Sequence, residues 1–360
     1  MMSFAKKVGK RLYYSSSPEV CYDIAEWAYA KNIDIKTLSA PVHDEVISLL
    51  SDDIPAQQEF ISHKDAMFRS QSLVAIEKAF VRDTVGFVEL PDGKIIYEGN
   101  WWIEFITNHP SYKKRFYLRN RYLKGNWYSL LCLWSSEYYH WFHDVLPRLE
   151  TALEHLPNDT KFLINEDLRE YQLESLKAYG IGINQLEIQP QGLRTCVERL
   201  WFSTPVGHTS LGSGKVIKKV AGRLINHFVT RTAETPLMNI YISRKKAGMR
   251  RLLNEDQLSS VIKDKGYEVI ALEDLSWVQQ LNLFFHSKEL MGPHGVGLVN
   301  MMFIGHKNSH ITEITAQSNT VPCYLVLARQ LGHSFRRIHA LPLGERAGDM
   351  YLPPESLDQI

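Results

Sequence analysis

ELMGPHGVGLVNMMF, residues 289–303, sets the apolar pair Leu290 and Met291 ahead of a turn carrying Gly292, Gly295 and Gly297, and then opens a helix. A strand that ends in a glycine turn and feeds a helix is the βα unit of an open α/β sheet, and the positive end of such a helix favours an anion. The glycines permit close backbone approach, so the stretch reads as a phosphate seat. Its spacing, G-x-x-G-x-G, is not the dinucleotide fingerprint G-x-G-x-x-G, and a lone glycine-rich βα turn is a weak signal. His294 strengthens it, standing between glycines where packing needs no imidazole, and Asn300 follows in the helix.

Outward from this unit the same alternation continues. A helix over 215–232, the strand MNIYISR, a helix from Asn254 to Lys265, the strand YEVIAL, a helix over 275–287, the strand HITEIT and a helix over 321–331 predict a doubly wound domain. Further upstream, KFLINE, the helix-like LREYQLESLKAYG and VERLWFS repeat the pattern, which makes the first domain α/β as well. Before them TVGFVEL, PDGK and IIYEG read as a hairpin, and RFYLRNRYL and WYSLLCLW as two more strands. Residues 1–80 are polar and helical in rhythm, with YDIAEWAYAKN and VHDEVISLL as candidate helices, and carry no recognisable chemistry. STPVGHTSLGSG, 203–214, is rich in glycine and proline and reads as a linker. The expected organisation is one α/β domain over 1–205, a second over 206–345 and a tail over 346–360.

At 360 residues with 44% hydrophobic and 22% charged side chains, the chain can bury two cores, and a formal charge of +1 disfavours general nucleic-acid binding. Any anion site has to be local. The cysteines Cys21, Cys132, Cys196 and Cys323 form no C-x-x-C pair, which fits a reducing compartment. The longest apolar stretch, 127–142, is interrupted by serines, Glu137 and His140 and falls short of the roughly 20 residues of a membrane span. The N-terminus carries Lys6, Lys7, Lys10 and Arg11 with no apolar region after them, so the expected location is cytoplasmic, with possible peripheral contact to an anionic membrane face through that basic end.

Three further constellations carry chemistry. In YISRKKAGMRRLLNEDQL, 241–258, a strand ends at Ser243 and the next loop supplies Arg244, Lys245, Lys246, Arg250 and Arg251 before Asn254 can cap a helix. In a chain almost without net charge, such a cluster suits a diphosphate, although a solvated basic loop has the same composition. Glu313, in HITEITAQSN, ends an apolar strand at the same sheet edge, where it can accept from a ribose diol or from a basic side chain such as Arg244. In YYHWFHDVLPRLE, 138–150, helical spacing brings His140, His143 and Asp144 toward one face, and Pro147 predicts a kink or an early end. A carboxylate bonded to an imidazole is a workable base at neutral pH; aromatic filling of an amphipathic helix is the plainer reading, and H-x-x-H-D does not have the H-x-x-x-H spacing of helical zinc sites.

Taken in order, YYHWFHDVLPRL, YISR with RRLLNEDQL, and GPHGVGLVN followed by ITEI resemble the pattern of glycosyltransferase family 61, over about 130 to 320. The resemblance implies a GT-B architecture, two Rossmann-like domains facing across a cleft, with inversion at the anomeric carbon and a nucleotide-sugar donor, UDP-linked by preference. On this mapping His140, His143 and Asp144 lie on the acceptor side, with Asp144 the expected general base and a histidine orienting it. Arg244, Lys245, Arg250, Arg251, Gly292, His294, Gly295, Gly297, Asn300 and Glu313 would hold the donor. No cofactor and no divalent metal is expected. The secreted members have export signals and paired cysteines, and their absence here favours a glycan or lipid-linked glycan acceptor of surface polysaccharide biosynthesis, as in bacterial relatives. The alternatives are a non-catalytic glycan- or nucleotide-binding protein and a metal-dependent hydrolase using His140, His143 and Asp144.

Overall fold

The computed structural model describes residues 19–50, 69–98, 119–208, 211–230, 237–316, 321–343 and 348–359. They form two compact units, one within Met1–Val42 and Met67–Gly212, the other within His43–Ala66 and Ser213–Ile360. The basic N-terminal segment lies outside the described residues. The second unit therefore starts at Ser213 rather than 206, and it takes in two pieces expected elsewhere, the helix His43–Leu49 and the chain after 346.

The first unit is built on a ten-stranded mixed sheet: β1 (Val20–Cys21), β2 (Ile35–Ser39), β3 (Gln71–Glu77), β4 (Phe80–Arg82), β5 (Phe87–Glu89), β6 (Ile95–Ile96), β7 (Arg119–Ser129), β8 (Lys161–Asn165), β9 (Leu186–Gln189) and β10 (Leu193–Ser203). Its parallel half runs β10-β7-β8-β9, and β3 and β4 pair antiparallel to the other edge of β10. The β5–β6 hairpin matches the expectation. Both candidate helices of residues 1–80 are present, as Ile24–Ala30 and His43–Leu49, while β2 and β3 correct the helical rhythm elsewhere, because Gln71–Ile76 is buried at five of its six positions, Leu73, Val74 and Ile76 among them, a two-sided core strand rather than an amphipathic helix. RFYLRNRYL and WYSLLCLW contribute to a single strand, β7. Gly125, with φ 87°, lies where Lys124 and Gly125 oppose Glu198 alone, and this bulge interrupts the alternation that the sequence pattern relied on.

After β7 the chain enters one helical run: α-helix Tyr138–His140, a π-helical turn Trp141–Val145, α-helix Leu146–Ala152 and a 3-10 turn Leu153–His155. Pro147 neither ends it nor breaks it. It sits in the first turn of Leu146–Ala152, and the N–H of Leu146 reaches back to Trp141 O, so the missing proline donor is absorbed by the wider turn. Trp141, Phe142, Val145, Leu146 and Leu149 are fully buried and anchor the run.

The stretch expected as a linker forms a small hairpin at the end of the first unit, β11 (Gly207–His208) with β12 (Leu211–Gly212). The second unit follows with helix Gly214–Phe228, which buries Val216, Ile217, Val220, Ala221 and Leu224 on one face. Its sheet comprises β13 (Met238–Ser243), β14 (Tyr267–Ala271), β15 (Ser287–Pro293), β16 (His310–Ala316), β17 (Ser334–Pro342) and β18 (Met350–Tyr351), in the order β14-β13-β15-β16-β17-β18, all parallel but the last. Counted within the unit, the parallel strands run 2-1-3-4-5, the flavodoxin-like order of a doubly wound sheet. Strand β17 escaped the sequence reading. Asn254 does not cap helix Glu255–Asp264 with its side chain; it exchanges two hydrogen bonds with the backbone of Leu352, which fixes the C-terminal chain to this unit.

Candidate active site

In a doubly wound sheet the order reverses between two neighbouring strands, and the loops that leave their carboxyl ends diverge and open a crevice. Here the reversal falls between β13 and β15, so the two loops at that point are the one that starts with Arg244 and the one that starts with His294. The glycines of the second loop serve close packing. A Cβ on Gly292 would meet Ile242, and one on Gly297 would press on Leu272 and Ile242. Gly295 has an extended backbone, φ 167°, so its requirement is space: a Cβ there would lie 2.6 Å from Arg244 Cζ. The guanidinium rests on the glycine turn. The segment Val296–Phe303 is 3-10 helical, with Gly297 and Asn300 buried in it.

The five cations of the first loop divide into two groups. Lys245 pairs with Asp256 at 2.7 Å, Lys246 with Asp274 at 2.5 Å, and Arg251 with buried Asp349 at 2.8 Å. The guanidinium groups of Arg244 and Arg250 form no ion pair among the described residues; that of Arg244 donates to the carbonyls of Met249 and Arg250, while its backbone N–H donates to Glu255. Burial, and then the charge of Arg250, push the Arg244 guanidinium below its ordinary range, outweighing the more distant charges of Glu273 and Asp349. Arg250 is held in the left-handed region at φ 57°, with its side chain against Gly348, so this arrangement stores some backbone strain. Of the residues expected to hold the donor, the structure thus brings Arg244, Arg250, His294 and Gly295 to the switch point, and gives Lys245 and Arg251 to ion pairs.

Glu313 is fully buried. One oxygen meets His294 Nδ1 at 2.5 Å and the other accepts from Arg337 Nε at 2.8 Å. Neither the ribose contact nor the pairing with Arg244 describes it; it is a buried link between two basic side chains. Glu313 and Arg337 are register partners on β16 and β17, and Gly292 is the partner of Glu313 on β15, which sets the three strands in one row. Arg337 was missed because no local motif marks it; only the register of β17 brings it to Glu313.

In the first unit, the wide π turn joins the three residues picked out by spacing. His140 Nδ1 lies 2.7 Å from Asp144 Oδ2, and His143 Nδ1 lies 3.2 Å from Oδ1. Burial alone would raise the Asp144 carboxyl, but the hydrogen bonds of His140 and His143 outweigh it and hold the group well below the ordinary carboxylate range. His143 is almost wholly buried and stacks on Tyr139 at 5.0 Å; His140 stays partly exposed beside Trp134. Among the described residues no group of three or more His, Cys, Asp or Glu is arranged to hold a metal ion, and no helix is long and apolar enough to cross a membrane. All four cysteines are unpaired thiols.

The described residues thus hold an imidazole–carboxylate cluster in the first unit and a basic loop against a glycine turn in the second. Residues 138–314 match the family model described as Glycosyltransferase 61, a span that begins two residues before His140 and ends one residue after Glu313. The protein is accordingly an enzyme, a glycosyltransferase. No curated protein matches the chain.

Proposed function

We propose that the protein is an inverting glycosyltransferase of GT-B type that moves a sugar from a nucleotide-sugar donor, UDP-linked by preference, to a glycan or lipid-linked glycan acceptor of surface polysaccharide biosynthesis. The observation that carries the donor assignment is the pair of guanidinium groups outside any ion pair, Arg244 and Arg250, in the loop after β13, with Arg244 against the glycine turn. A diphosphate supplies the missing negative charge and matches the bidentate geometry of guanidinium groups.

On the acceptor side the geometry supports the imidazole as the base, the reverse of the roles expected from the sequence. A carboxylate held far below its ordinary range is a weak base. A carboxylate that takes Nδ1–H of His140 leaves Nε2 as a lone pair, the arrangement by which an acidic partner orients a general base. Asp144 then orients, His140 Nε2 accepts the acceptor hydroxyl proton, and buried His143 fixes Asp144 from its other oxygen. The new bond forms from the acceptor oxygen to the anomeric carbon as the bond to the β-phosphate breaks, its electron pair leaving with the nucleoside diphosphate.

A thermal-shift series with UDP, GDP, ADP and CDP tests the donor reading. A ligand at 100 times its dissociation constant stabilises the fold by about 2.7 kcal/mol. Stabilisation by at least one nucleotide, lost in Arg244→Ala, is the expected result; no shift with any of them would overturn the assignment.

A further inference from the structure

Nothing in the donor assignment requires Arg337 or explains why His294 is tied to a buried acid. We propose that His294 engages the diphosphate as an imidazolium, that nucleotide binding takes up the proton this requires, and that Glu313 and Arg337 are positioning residues that hold His294 ready for it. The proposal rests on the reading of the Arg244 loop as a diphosphate site.

A carboxylate with no solvent exposure survives only if its oxygens are satisfied, and Glu313 has a partner on each. Arg337 donates to Oε2 of Glu313, and Oε1 is left to accept from His294 Nδ1–H, which fixes the tautomer. The His294 backbone is fixed as well, its N–H donating to Ile314 O at 2.7 Å. The remaining ring nitrogen, Nε2, is a lone pair when the imidazole is neutral and a donor when it is protonated.

The surroundings decide which state prevails. Glu313 comes from β16 and Arg337 from β17; Tyr324, whose ring meets His294 at 5.0 Å, and Cys323 come from helix Cys323–Leu331. From the loop after β13 come Arg244 and Arg250, whose charges both reach Tyr324. An incoming diphosphate adds two or more negative charges beside these arginines and favours the imidazolium, whose Nε2–H is then a charge-assisted donor to it. As the bond from the anomeric carbon to the β-phosphate oxygen breaks, the electron pair stays on that oxygen and the imidazolium hydrogen bond strengthens. No proton has to transfer in the step, and the one taken up is released when the nucleoside diphosphate leaves.

Calorimetric titration of UDP into the whole protein at about pH 7.5, where a free imidazole is mostly neutral, in PIPES, HEPES and Tris gives the number of protons taken up from the dependence of the heat on the buffer. The wild type is expected to take up about one proton per UDP. His294→Asn, which keeps a donor toward Glu313 and deletes Nε2, is expected to fold, to bind roughly tenfold or more weakly, and to show no uptake. Arg337→Gln is expected to bind with reduced uptake, and Arg337→Lys to restore part of it; a purely structural Arg337 would lower melting temperature and affinity while the uptake per bound UDP stayed at the wild-type number. Buffer-independent heats in a wild type that binds UDP would overturn the proposal, as would full uptake in His294→Asn. Absence of binding by UDP and by the other nucleoside diphosphates would instead sink the diphosphate reading beneath it.

Discussion

Asp144→Asn separates the two roles available to the His140–Asp144 pair. The carboxylate accepts from two imidazoles, at 2.7 and 3.2 Å, and asparagine offers one oxygen and one amide nitrogen in the same space. One of the two Nδ1–H donors then faces another donor, so a ring must turn, change tautomer or lose its bond. Since bonds to a charged acceptor are worth about 1.5–3 kcal/mol each, the preorientation of His140 is largely lost, while the volume of the side chain is unchanged. In catalytic triads the corresponding change costs about 10⁴ in turnover through the wrong tautomer, and a fall of about 10² to 10⁴ is expected here. The assay is nucleoside diphosphate release from the nucleotide sugar that most stabilises the fold, with affinity for the nucleotide measured alongside and expected to stay within about twofold. His140→Ala should lose at least as much. Near-normal turnover of Asp144→Asn beside an inactive His140→Ala would refute the orienting role, and activity in both would reduce the cluster to packing.

The other predictions concern the donor loop and one buried acid. Arg244→Ala should weaken nucleoside diphosphate binding by about 1.5–3 kcal/mol in calorimetry, since one charge-assisted contact is lost. Gly295→Ala should act through the same side chain: its Cβ would displace the Arg244 guanidinium, the far end of a flexible chain, so the fold survives and the affinity falls. The double variant should then bind no worse than Arg244→Ala alone, and additive losses would show that the glycine contacts the ligand independently. Glu98, whose carboxylate accepts from Ile24 N–H at 2.6 Å, is pushed by burial from 4.5 up to about 7. Between those values the unfolded chain has released a proton that the folded chain retains, so stability falls as pH rises through this window, by about 3.5 kcal/mol at about 1.4 kcal/mol per tenfold change in proton affinity. Glu98→Gln, which keeps the acceptor and removes the titration, should match the wild type at pH 5 and melt several degrees higher at pH 8; equal melting temperatures at both would place that carboxyl in water.

The sequence by itself determined the elements of the second unit, because its strands MNIYIS, SKELMGP and HITEITA are apolar runs bounded by loops and its helices show one apolar face, as Gly214–Phe228 does. It also determined that His140 and Asp144 meet, since a spacing of four residues in a helix is a local fact. What it left open are matters of long range. The strand order 2-1-3-4-5 follows from which edges pair, and no periodicity encodes pairing partners. The division of the basic loop into three paired cations and two outside any ion pair depends on Asp256, Asp274 and Asp349, up to 98 residues away in the chain. Arg337 reaches Glu313 only through the register of β17, and the direction in which Asp144 titrates was settled by its burial together with both imidazoles. Local spacing fixes which side chains share an element; tertiary packing decides which charges are neutralised, and those left over point to the chemistry.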